Sequence, residues 1–141
     1  MVLTLLKIYR QLISPVFNPE EMKYCWKVDM QQFLDEEGCI DPYISRSSAI
    51  MAKYFGEIVK TASNDATFGP VFSGIDCRRR PHRYACRGKL EIIYIDYLKD
   101  GEIFWRCPAC RDKGIITGWE GSCWDLMSPE FRFVSQMINN R

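Results

Sequence analysis

Histidine is nearly missing from this chain: His82 is the only one in 141 residues. Catalytic metal sites that keep an open coordination position are usually built from several histidines and carboxylates, so this scarcity speaks against a hydrolytic metal centre. A Cys77 and His82 nucleophile pair lacks a third group to orient it, and the chain reads as a non-enzyme. An excess of charge of one sign is lacking too. Nineteen Lys and Arg stand against 18 Asp and Glu, a formal net charge of +1, so no global basic field steers the molecule towards nucleic acid. Long apolar runs are also missing. The opening MVLTLLKIYRQLISPVF is interrupted by Lys7 and Arg10, and Ser14-Pro15 ends it short of the ~20 apolar residues that a membrane-spanning helix requires. No transmembrane segment is expected. Thr4, Lys7, Gln11 and Ser14 share one narrow face, which predicts a helix either docked on its own core or resting on a membrane surface.

Cysteine, by contrast, is plentiful, at seven residues. The odd count and a CxxC spacing favour metal or redox chemistry over a secreted disulfide framework, which implies a reducing, cytoplasmic setting. With 47% hydrophobic and 26% charged residues the balance is globular.

Along the chain, Asn18-Pro19-Glu20-Glu21 is a helix-start pattern, and Met22, Trp26, Met30 and Phe33 recur at helical spacing, predicting a helix up to Gly38. Ser45 to Ser48 offer caps for another helix through Ala62, with Ile50, Met51, Tyr54, Phe55, Ile58, Val59 and Ala62 as its apolar face. Residues 63–76 gather Gly69, Pro70 and Gly74 and read as a connector. Three short strands follow, at Leu90–Ile95, Ile103–Trp105 and Gly114–Trp119, and Ser128-Pro129-Glu130 caps a closing helix bearing Phe131, Val134 and Ile138. The expected fold class is therefore α+β: a small N-terminal helical bundle over residues 1–70, a three-stranded antiparallel zinc ribbon over 71–127, and a short C-terminal helix over 128–141.

Cys107-Pro108-Ala109-Cys110 is the strongest motif, because its tight turn lets both sulfurs face one point. Together with Cys77 and Cys86 it supplies four thiolates for one zinc ion. The first pair is spaced more widely than a standard knuckle, and His82 inside that loop is a possible substitute ligand. Cys123 is a weaker substitute, while Cys25 and Cys39 read as plain thiols. A disulfide or thioredoxin-like redox centre is the competing explanation of the CxxC, but it calls for a helix after the motif, where Arg111-Asp112-Lys113-Gly114 leads into a strand. Convergence of the four sulfurs also requires a wide hairpin loop: with Asp96–Gly101 as the loop, Cys107 falls opposite Leu90, near enough to Cys86. Gly88 supplies the remaining bend.

Two resemblances follow from these residues. The run Cys77-Arg78-Arg79-Arg80-Pro81 through Cys86, then Cys107-Pro108-Ala109-Cys110, Gly114-Ile115-Ile116-Thr117-Gly118-Trp119 and Trp124-Asp125-Leu126 resembles the C-terminal zinc ribbon of small uncharacterised bacterial proteins. That likeness implies a fold and a zinc ion without implying an activity. Leu6-Lys7-Ile8-Tyr9-Arg10 with Ile13-Ser14-Pro15 is similar to the start of small bacterial membrane-insertion accessory proteins, and the similarity ends there.

Arg78, Arg79, Arg80, Arg83, Arg87 and Lys89 concentrate positive charge around the first cysteine pair, with Tyr84 among them. Such a loop can contact phosphates while the ring stacks on a base. Part of the charge has a simpler use, since zinc held by four thiolates is a net anion that nearby cations stabilise. A nucleic-acid-binding or regulatory module is one expectation. The alternative is a protein-interaction or scaffold module that uses Trp105, Trp119, Trp124 and Phe104 or the helical bundle. No small-molecule substrate is evident, and oligomeric state is open.

Overall fold

The computed structural model describes residues 25–65, 71–96 and 101–127. In chain order these form β1 (Trp26–Asp29), a 3-10 turn at Met30–Phe33, α1 (Arg46–Asp65), β2 (Val71–Asp76), a 3-10 turn at Pro81–Arg83, β3 (Lys89–Asp96), β4 (Glu102–Arg106) and β5 (Lys113–Thr117). The five strands make one mixed sheet in the order β1-β5-β4-β3-β2. All neighbours are antiparallel except β1 and β5, which run parallel.

This architecture overturns the expected helical bundle followed by a three-stranded zinc ribbon: the described residues hold one α-helix and a five-stranded mixed sheet. The three foreseen strands are β3, β4 and β5, at the centre of a larger sheet. Two strands on its edges went unforeseen, each for an identifiable reason. In β1 the helical spacing of Trp26, Met30 and Phe33 coexists with a period-two pattern in which Val28 and Met30 are buried while Lys27 and Asp29 are exposed. The open edge of β5 decides between them by satisfying the β1 backbone, Trp26 to Asp29 pairing with Gly114 to Thr117. Asp29 then accepts from the Gln31 amide at 3.0 Å and starts the 3-10 turn. Beyond it, Asp35 accepts from the amides of Glu37 and Cys39, folding a turn where the helix to Gly38 was expected.

The second unforeseen strand is β2, which occupies part of the expected connector. Its alternation is broken by an irregularity between Phe72 and Asp76, where Gly74 has φ +70°. The Ser73 hydroxyl bridges the gap, donating to the Leu90 carbonyl at 2.6 Å and accepting from the Ile75 amide at 3.0 Å.

Helix α1 starts as foreseen, with Ser45 Oγ accepting from the Ser48 amide at 3.1 Å. It lays Ala52, Phe55, Ile58, Val59 and Ala62 on the sheet, against a core that includes Leu90, Ile92, Ile103, Trp105 and Ile116. Each buried Val, Leu, Ile or Phe among these contributes about 1.5–3 kcal/mol relative to exposure. After β5 the chain turns at Gly118 (φ +66°) and buries Trp119 and Trp124 in the same core. The Trp119 Nε1–H donates to the Gly101 carbonyl at 2.6 Å, and Ser63 Oγ accepts from the Leu126 amide at 2.9 Å. Among the described residues no helix is long and apolar enough to cross a membrane. The helix expected near residues 3–13, the start at Asn18–Glu21 and the closing helix from Ser128 lie outside the described residues.

Candidate metal centre

Cys77, Cys86, Cys107 and Cys110 bring their sulfurs together, all within 4.8 Å of one another. The closest pairs are Cys77 with Cys110 and Cys86 with Cys107, each at 3.6 Å. A disulfide would need ~2.05 Å, and none of the seven cysteines forms one. A tetrahedral ion with ~2.3 Å metal–sulfur bonds has sulfurs ~3.8 Å apart, so the spacing suits one metal ion bound by four thiolates.

Three features of the chain build the cluster. The first is the β3–β4 register. Asp96 faces Glu102, so the loop is one residue shorter than the sequence implied, but an irregularity between Ile92 and Tyr94 shifts the pairing to Ile92 with Trp105 and Glu91 with Arg106. Continued by one step, that register sets Cys107 opposite Leu90, as the convergence argument required. The second is the closure of the two cysteine loops by backbone bonds. Cys77 N–H donates to the Gly88 carbonyl at 2.9 Å and Cys86 N–H to the Arg79 carbonyl at 2.8 Å. In the other loop, Cys107 N–H donates to the Asp112 carbonyl at 2.6 Å and Arg111, at φ +64°, donates back to the Cys107 carbonyl.

The third feature is Gly88. A Cβ at this position would lie 2.5 Å from Cys107 Sγ, 2.8 Å from Ala109 Cβ and 3.4 Å from Cys86 Sγ. Only a residue without a side chain lets the two loops close around the sulfurs, a demand distinct from the bend expected of it.

Backbone amides two residues downstream point at three of the sulfurs. Gly88 N–H donates to Cys86 Sγ at 3.3 Å, and this bond is the largest influence holding the Cys86 thiol below its ordinary range. Burial pushes the Cys77 thiol up, opposed by the Arg79 amide, and burial likewise raises Cys110 against the Asp112 amide. Buried thiols that resist ionisation alone are ionised when a divalent cation replaces their protons, and amide donors then stabilise the resulting anionic cluster. The site therefore fits a soft, thiolate-binding metal ion.

Around the cluster, the arginines divide by what they touch. Arg79 pairs with Asp112 at 3.0 Å, and the same carboxylate oxygen accepts from Trp26 Nε1 at 3.2 Å. Lys89 pairs with Asp76. Arg78 lies over the Tyr54 ring, 4.5 Å from its centroid. Tyr54 is itself packed near Cys77, and burial is the first cause, ahead of the Cys77 charge, that pushes its phenol up to about 12. Arg80, Arg83 and Arg87 are exposed and have no carboxylate partner among the described residues, although Arg80 donates to the Arg83 carbonyl at 3.3 Å. Tyr84 stands with them at 81% exposure.

The other candidates fall elsewhere. Cys123 is exposed and outside the cluster, its amide donating to the Gly38 carbonyl, and Cys39 is exposed as well. The His82 side chain lies outside the described residues. Trp105, Trp119, Trp124 and Phe104 are all buried, so none of them offers an exposed recognition face. Asp112 and Tyr54 were overlooked: each contacts or neighbours the centre from a part of the sequence that carries no motif of its own, and only the Asp112 position, two residues past Cys110, held a signal in the amide that it supplies. Compared with known proteins, the chain matches no family model, no curated protein and no solved structure.

Proposed function

We propose that the four cysteines hold a structural zinc ion and that the loop between Cys77 and Cys86 binds the phosphates of a single-stranded nucleic acid. Zinc suits the donor set because it accepts four thiolates in a tetrahedron without redox chemistry or a demand for oxygen ligands. The observation that carries the nucleic-acid reading is the loop itself. It is anchored at both ends by cysteines of the cluster; Arg80 and Arg83 within it and Arg87 just beyond Cys86 lack carboxylate partners among the described residues, while Tyr84 stands exposed for stacking. Arg78 and Arg79 are otherwise engaged, which separates cations that support the cluster from cations open to a ligand.

Fluorescence anisotropy with labelled single-stranded oligonucleotides across a salt series tests the reading. Binding should weaken with salt, and Arg80→Gln, Arg83→Gln and Arg87→Gln together should flatten the log–log salt slope by about 2, since each phosphate contact on a single strand contributes about 0.7. Zinc content should be unchanged in that variant. Oligonucleotide binding indifferent to these three arginines would overturn the assignment of the loop.

A further inference from the structure

We propose that the cavity beside the metal centre receives one base of the bound strand. This deepens the reading of the basic loop and rests on it for the identity of the ligand. The cavity, about 570 Å³, opens between β1, α1 and the beginning of the first cysteine loop, and Trp26, Tyr54, Phe55 and Trp105 give it aromatic walls, with Arg78 and Asp112 beside them. Its volume falls inside the range of roughly 300–1,000 Å³ usual for small-ligand sites.

The space exists because of one row across the sheet. Trp26 pairs with Gly114 on one side and Trp105 pairs with Gly114 on the other, so the two indoles share a face with a glycine between them. A Cβ on Gly114 would lie 2.6 Å from the Trp105 ring, which shows that this ring leans across the glycine towards Trp26. Between the two tryptophans no side chain fills the row.

Trp105 also carries an unused donor. The residue is 1% exposed, and its Nε1–H has no hydrogen-bond partner among the described residues. The indole N–H groups of Trp26 and Trp119 both have acceptors, whereas that of Trp105 is enclosed beside Gly114, out of direct reach of a ligand in the cavity. A nucleobase is flat and offers a π-face to Trp26, which remains 53% exposed at the mouth. Arg78, held over Tyr54, stands at the rim, and the chain continues from it through Arg79 to Arg80, the first of the cations open to a ligand. A strand whose phosphates follow the loop thus reaches the cavity with a base.

The test compares a labelled eight-nucleotide single strand with an abasic strand of equal length, and adds titrations with free uridine and adenosine monophosphate read by tryptophan fluorescence. The full zinc-loaded chain is set against Trp26→Ala and against Met51→Trp, which fills the cavity from the exposed side of α1. The expected result is a preference for the base-bearing strand of about 10- to 100-fold, the range for loss of one stacked base, falling towards unity in both variants with zinc content unchanged. Equal affinity for base-bearing and abasic strands, with dependence on Arg80, Arg83 and Arg87 intact, would overturn the pocket and leave the phosphate-binding loop standing. Mononucleotide quenching that is lost in Met51→Trp, together with strand binding indifferent to the three arginines, would sustain the pocket and remove the loop. Absence of both mononucleotide binding and base preference overturns the pocket outright.

Discussion

Replacing Gly88 by alanine adds a single methyl group, yet it should cripple the metal centre. The new Cβ would sit 2.5 Å from Cys107 Sγ and 2.8 Å from Ala109 Cβ, both inside van der Waals contact, and 3.4 Å from Cys86 Sγ. Cys107 is wholly buried and its amide is tied to the Asp112 carbonyl at 2.6 Å, so the second loop has little freedom to retreat. Overpacking of a rigid site costs about 1–3 kcal/mol. If that strain is felt chiefly when four sulfurs are drawn onto one ion, zinc affinity should fall about 10- to 100-fold. Competition against a chromogenic chelator of known affinity measures it, with Gly74→Ala as the control. At Gly74 nothing lies within 4 Å, but φ is +70°, so that change should lower general stability by about 1–2 kcal/mol through backbone strain while leaving zinc affinity alone. Equal zinc affinity in Gly88→Ala and the unaltered protein would refute the convergence of the two loops on a shared ion.

Further outcomes follow from the same contacts. Elemental analysis should find one zinc per chain, and Cys107→Ser or Cys110→Ser should lose the metal together with the cooperative thermal transition. Retention of a full equivalent in either variant would contradict the four-thiolate set. In an alkaline titration followed by tyrosinate absorbance, Tyr54 should ionise late, near pH 12, and Tyr54→Phe should remove that late step. Because its folded pKa is raised above the ordinary 10.0, the stability it contributes is complete below about pH 10 and is lost as pH rises through about 12, which pH-dependent denaturant unfolding can follow. Gly56→Ala raises helix propensity by about 1 kcal/mol, but its Cβ would overlap the buried Trp124 indole, and overpacking of about 1–3 kcal/mol should win. A higher melting temperature in that variant would show that Trp124 can move aside.

What the sequence by itself determined was chemistry that is local or nearly so. The four-cysteine cluster was legible because CxxC geometry is a short-range property and because Cys107 could be set opposite Leu90, an alignment that the shorter loop reaches through the irregularity between Ile92 and Tyr94. Helix α1 was legible because Ser45 caps it and its apolar positions keep one period. The edge strands were not, and the reason is tertiary. β1 is a strand because β5 leaves an edge open for it, and in isolation Trp26, Met30 and Phe33 fit a helix as well. β2 is masked by its own irregularity at Gly74, which only pairing with β3 makes tolerable. The division of the basic residues also waited on the fold, since Asp112, Asp76 and Tyr54 come to Arg79, Lys89 and Arg78 from other elements. The row Trp26, Gly114 and Trp105 exists only once three strands lie side by side, because side chains distant in sequence share a face only after the sheet sets their register.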